Sequence, residues 1–175
     1  MKRTALALVL GLAGMSVYAQ SSVKVNLVLH HVQNLTIHPD QSEVTLAYHT
    51  AEDYRNGVEL VQKGHLTVFS TSAYEVKVRL TNQEFVKIGT PDAEHVSIPP
   101  IKVKATAPSG GFSEELRPAF LTPYNETIIS SGGPAFEGLF DVTYQGPGGD
   151  ELVKYAEKNN TVAFTNDILY SIETK

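Results

Sequence analysis

Six histidines are the side chains of this sequence best suited to chemistry near neutral pH, because imidazole both titrates there and ligates metals. They stand at His30, His31, His38, His49, His65 and His95. His30 and His31 are adjacent in a segment of strand pattern and point to opposite faces, whereas two ligands from one strand come two residues apart. Neither a His-x-His nor a His-Glu-x-x-His spacing occurs. The alternatives are a cross-strand metal site built from His31, His38 and His49, should their segments pair, and separate strand-end histidines. The second is the default, so no metal and no cofactor is assigned.

Carboxylates offer a different chemistry. Glu114-Glu115 and Asp150-Glu151 are neighbours along the chain, but glycoside cleavage needs two carboxyls facing each other across a cleft, about 5–9 Å apart. They read as solvated loop acids. Nucleophile motifs are missing: there is no cysteine and no Gly-x-Ser-x-Gly, and Ser130-Ser131-Gly132-Gly133 reads as a turn. Gly146-Pro147-Gly148-Gly149-Asp150 has neither the Lys-Ser/Thr ending of a phosphate loop nor the alternating acids of a calcium loop. No catalytic residue is assigned, and the chain reads as non-enzymatic. Off-strand Tyr54 and Tyr124, with Phe112, are candidates for a sugar-stacking or protein-contact patch. Tyr48, Tyr74, Tyr144 and Tyr170 fall on the apolar parity of their strands and read as core residues with a hydroxyl at the rim.

The elements that would position these groups are strands. Tyr74-Glu75-Val76-Lys77-Val78-Arg79-Leu80 alternates strictly, with a mixed-charge wet face that reads as solvated surface. It closes the stretch Gly57 to Leu80, which turn-prone residues at Lys63-Gly64 and at Ser70 to Ala73 divide into three pieces, read as an antiparallel meander. Before it, Val23 to Leu29 alternates with Val23, Val25, Leu27 and Leu29 on one side. Leu35-Thr36-Ile37 ends at a His38-Pro39-Asp40 turn, Glu43 to His49 carries Val44, Leu46 and Tyr48 on one side, and Asn56-Gly57 suits a tight turn. After it come Phe85 to Ile88, Val96 to Ile98 and Ile101 to Thr106. Pro99-Pro100 marks a kink or a crossing between sheets.

Ala107 to Asn125, with Pro108, Gly110-Gly111, Pro118 and Pro123, reads as a long surface loop and a possible binding element. Ser113-Glu114-Glu115-Leu116 leaves room for one helical turn before Pro118. Strands then resume at Glu126 to Ser130, Gly138 to Gln145, Glu151 to Tyr155, Thr161 to Thr165 and Ile168 to Ile172. With helical periodicity nowhere sustained, the fold class is all-β: a single antiparallel β-sandwich, immunoglobulin-like or pilin-like, over residues 20–175.

Residues 1–19 read as a secretory signal peptide: Lys2-Arg3, an apolar run from Ala5 to Met15, and the small-residue pattern Val17-Tyr18-Ala19 before Gln20. The apolar run is too short to span a bilayer. Removing those 19 of 175 residues leaves 156, enough for one ordinary core. Losing Lys2 and Arg3 moves the formal charge from −5 to −7. An acidic exported domain with scattered cations has no electrostatic footprint for nucleic acid or anionic lipid. Asn34, Asn125 and Asn159 open Asn-x-Thr triplets, expected by chance in a Thr-rich chain of bacterial-looking leader.

The closing Asp167-Ile168-Leu169-Tyr170-Ser171-Ile172-Glu173-Thr174, the segment Val25 to Leu29, Asp53 to Val58, His65 to Val68 and Tyr74 to Val78 resemble those of small exported bacterial surface β-sandwich proteins. They are similar to WxL-type cell-surface domains and to pilin or coat-protein-U-like subunits. The sequence departs from both groups in having no Trp and no cysteine pair, and no functional residue is carried over. The resemblance implies a secreted or cell-surface structural or adhesive protein, with a filament or surface-layer subunit as its sharper form. Strand addition at a sheet edge, through Val23 to Leu29 or Ile168 to Ile172, is the expected route to protein partners or self-assembly. The alternative is a glycan- or metal-binding module using the 107–125 loop or the histidines.

Overall fold

The structure, a computed structural model, describes residues 20–89, 93–108, 114–158 and 160–175. The expected leader, Gly110-Gly111, Phe112, Ser113 and Asn159 lie outside the described residues. His31–Lys175 is one compact unit, divided from the residues before it at His30.

In chain order the strands are β1 (Gln33–Ile37), β2 (Glu59–Ser70), β3 (Tyr74–Leu80), β4 (Phe85–Lys87), β5 (His95–Val96) and β6 (Lys102–Thr106). They continue with β7 (Glu114–Leu116), β8 (Ala119–Phe120), β9 (Glu126–Ser131), β10 (Ala135–Gln145), β11 (Phe164–Thr165) and β12 (Ile168–Thr174). Short helix α1 (Ala51–Asn56) and 3-10 turns at Pro39–Gln41 and Val153–Tyr155 interrupt them. One sheet runs β1-β2-β10-β6-β8, a second β12-β3-β9-β7, and a small third β11-β4-β5. Among the described residues every strand pairing is antiparallel. The fold is the all-β, sandwich-like one that the alternation predicts.

The core lies between the first two sheets. Leu66 and Val68 of β2, Val103 and Ala105 of β6, and Phe140, Val142 and Tyr144 of β10 meet Tyr74, Val76 and Val78 of β3 and Ile128 and Ile129 of β9, all buried. Alternation supplies this directly, since every second residue of β3 is buried.

Several expected elements differ. Gly57 to Leu80 is not a meander: β2 is one strand of 12 residues, and the chain crosses from the first sheet to the second over residues 71–73, so β2 and β3 lie in different sheets. A period of two identifies the buried face and leaves the neighbouring strand open. The break at Lys63-Gly64 is a bulge within β2, where the register jumps from Gln62↔Val142 to Leu66↔Phe140. Gly64 takes φ 59° there, and its N–H donates to Asp141 Oδ1 at 2.7 Å.

Val23 to Leu29 forms no strand. Glu43 to His49 keeps its parity, with Val44, Leu46 and Tyr48 half-buried, but joins no ladder. Glu151 to Tyr155 is a turn and a 3-10 turn, and Thr161 to Thr165 shortens to β11. In the 107–125 region Glu114–Leu116 is β7, pairing with β9, and Ala119–Phe120 is β8, pairing with β6. Two short strands thus interrupt the expected surface loop, and β7 stands where the helical turn was expected. Pro99-Pro100 does separate strands of two sheets, β5 and β6.

α1 begins in a capping box. Thr50 Oγ1 accepts the Asp53 N–H at 3.2 Å, and the Asp53 carboxylate accepts the N–H groups of His49 and Thr50 at 2.8 and 2.7 Å. Those donors hold the Asp53 carboxyl below the usual range. The helix ends at Gly57, φ 82°, with its N–H on Asp53 O. A Cβ at Gly57 would lie 2.4 Å from Gly146 O. Gly57→Ala is therefore expected to lower stability by about 1–3 kcal/mol, from positive φ and backbone overlap together. Urea denaturation of the purified chain measures it.

Candidate functional site

The structure separates the three histidines considered for a metal. His31 Nδ1 lies 3.0 Å from Thr71 Oγ1, His38 Nδ1 accepts the Asp40 N–H, and His49 precedes α1 with its own N–H on Asp53. Among the described residues no three His, Asp or Glu side chains gather as a metal would require. The carboxylates are dispersed too. Glu115 pairs with Arg117, while Glu114 lies 3.4 Å from the Tyr74 hydroxyl. Ser131 Oγ donates to Gly133 O, as in the expected turn.

Aromatic residues divide differently. Tyr54 lines an open cleft of about 650 Å³ with His49, Arg55, Asp150 and Val153, its ring 5.3 Å from that of Tyr48. Arg55 is held by Glu52 at 2.6 Å. Tyr124, 76% exposed, belongs to the segment before β9 and does not line this cleft.

His65 is the polar residue that the linear pattern misses. It is buried in the β2 bulge, and its ring joins a relay between the sheets. Gln41 Nε2 donates to Lys63 O at 2.9 Å, which turns Gln41 Oε1 toward His65 Nδ1, 3.0 Å away. Oε1 only accepts, so Nδ1 carries the proton and Nε2 is bare. Nε2 accepts from the Tyr144 hydroxyl at 2.9 Å, and Tyr144 accepts from Tyr170 at 2.5 Å. Burial pushes the Tyr144 hydroxyl up to about 12, raises Tyr170 and, aided by His38, lowers His65. All three stay neutral near pH 7. With each hydroxyl committed to a neighbour, the relay ties β2 and β10 to β12 and presents no reactive group to solvent.

No protein-family model matches the chain, and no curated protein matches it either. The features left without a structural task are therefore read from geometry alone.

Two such features stand out. Residues 20–30 form neither helix nor strand, and Val23, Val25, Leu27, Val28 and Leu29 are 72–87% exposed. Side chains of this type gain about 1.5–3 kcal/mol each on burial. The other feature is β12, the edge of the second sheet. Lys175 N–H donates to Ala73 O and Thr81 N–H to Asp167 O, in the register that continues Ile168↔Leu80 to Thr174↔Tyr74. The odd-numbered residues of β12 therefore bond to β3. Ile168, Tyr170, Ile172 and Thr174 aim their N–H and C=O groups at the free edge. Side chains of Ile168, Tyr170 and Ile172 pack on the core, and Leu169, on the other face, is 44% exposed. β1 approaches β12, with Gln33 Oε1 3.4 Å from Thr174 Oγ1, but among the described residues it forms no ladder with it, so the backbone groups of this edge can receive another strand.

Proposed function

We propose that the chain is a non-enzymatic, exported subunit of a cell-surface structural or adhesive assembly, joined by strand addition. The observation that carries this reading is Val23 to Leu29, an alternating apolar segment that the fold leaves outside every sheet. A protein that carries both such a segment and an open strand edge faces the usual hazard of edge-to-edge association. Here the pattern has the length and parity of a strand, which suits it to a partner's sheet. The open edge of β12 supports the same reading.

Light scattering and electron microscopy on the purified chain beginning at Gln20 test it, and oligomers or filaments are the expected result. A strict monomer would overturn it.

A further inference from the structure

We propose that Val23 to Leu29 of one copy adds antiparallel to β12 of a second copy, with Lys24 opposite Glu173. This rests on the assembly reading above and specifies its partner, edge and register.

The two segments are each seven residues long. An antiparallel register with Val23 opposite Thr174 sets Val25 on Ile172, Leu27 on Tyr170 and Leu29 on Ile168. Those are the β12 residues whose backbone groups aim at the free edge, and the side chains of Ile168, Tyr170 and Ile172 pack on the core. The donor's apolar parity therefore joins the core side. On the other face Lys24 meets Glu173, Asn26 meets Ser171, and Val28 meets Leu169. Each pair is complementary: opposite charges, two hydrogen-bonding groups, and two exposed apolar side chains. Glu173 already accepts from Lys77 at 2.5 Å and remains 46% exposed, so it can take a second cation.

The parallel register with the same buried parity does worse. It sets Val23 on Ile168, Lys24 beside Leu169 and Val28 beside Glu173, which breaks both the charge and the apolar pair. Chain length excludes the antiparallel pairing within one molecule. Gln33 sits at the Thr174 end of β12, with Gln33 Oε1 3.4 Å from Thr174 Oγ1. Ile168 lies six residues away, about 20 Å along the strand. Leu29 is four steps from Gln33, a reach of at most about 14 Å, part of which is used in reversing direction. The acceptor must be another copy.

The chain has no cysteine, so engineered pairs report without background. Positions 24 and 173 would form a non-hydrogen-bonded pair with Cα atoms about 4.5 Å apart, within disulfide range. Lys24→Cys and Glu173→Cys chains beginning at Gln20, mixed and oxidised, are expected to give a disulfide-linked heterodimer. Lys24→Cys mixed with Leu169→Cys is expected to give none. Leu27→Asp, at a position 82% exposed in the protomer, is expected to keep its unfolding midpoint while association weakens at least tenfold by light scattering. If wild type is oligomeric but Lys24→Cys links to Leu169→Cys, or to neither, the register falls and the assembly reading stands. Undiminished association of Leu27→Asp would also overturn the register proposal. A monomeric wild type overturns both.

Discussion

Tyr144→Ala is expected to destabilise the fold by about 3–5 kcal/mol, the range for emptying a buried aromatic site. Tyr144 is 1% exposed, among Leu66, Val78, Phe140 and the rest of the inter-sheet core. Its hydroxyl also accepts from Tyr170 and donates to His65. Tyr144→Phe isolates that second contribution. The ring is retained, but His65 Nε2 loses its donor and the Tyr170 hydroxyl its acceptor. Stranding buried polar groups costs about 1–3 kcal/mol, so Tyr144→Phe is expected to lie between wild type and Tyr144→Ala. Urea denaturation with an unchanged m-value measures both. A Phe variant as stable as wild type would show that the hydroxyl bridge contributes nothing net.

The buried faces were legible in the sequence because alternation is a local property. In β3 it puts Tyr74, Val76, Val78 and Leu80 inside without exception, and in β12 it puts Ile168, Tyr170 and Ile172 toward the core. Strand neighbours were not legible. Ser70 to Ala73 carries the same turn residues whether the chain doubles back beside β2 or crosses to the opposite sheet, and it crosses. Lys63-Gly64 likewise signals an interruption equally well for a turn or a bulge; Asp141, distant in sequence, supplies the acceptor that decides for the bulge. Val44, Leu46 and Tyr48 show that correct parity does not imply a ladder.

The candidate site divides along the same line. Val23 to Leu29 was legible as a strand pattern, and only the structure shows that no sheet of its own chain holds it. The open edge of β12 depends on sheet order, which no local signal encodes. Phe69 and Phe136 make a similar point. Their rings meet edge to face, 5.8 Å apart, although 67 residues separate them and Phe136 is 77% exposed. His65 reads as one more isolated histidine until Gln41, Tyr144 and Tyr170 are set around it.

Stability is expected to fall as pH drops from 7.5 to 5, with His65 as the cause. Its folded-state pKa is lowered, first by burial and then by the charge of His38, whereas in the unfolded chain it stays near 6.5. Between the two values the unfolded state binds more protons, so unfolding is favoured as pH falls. The contribution is complete above about pH 6.5, declines below it, and levels off under the folded-state pKa. Each unit of separation corresponds to about 1.4 kcal/mol. The relay gives the mechanism: a proton on Nε2 makes His65 a donor toward Tyr144, which must then turn its own hydrogen toward Tyr170 and leave the Tyr170 hydrogen without its acceptor. Asp53 and Glu157, both held below the carboxylate range, act in the more acid window where carboxyls protonate. The slope between pH 5 and 7.5 is therefore assigned to His65, the buried imidazole of the relay. Thermal unfolding midpoints at the two pH values should separate in wild type and converge in His65→Gln, which carries no titrating proton; an equal separation in both would remove His65 as the cause.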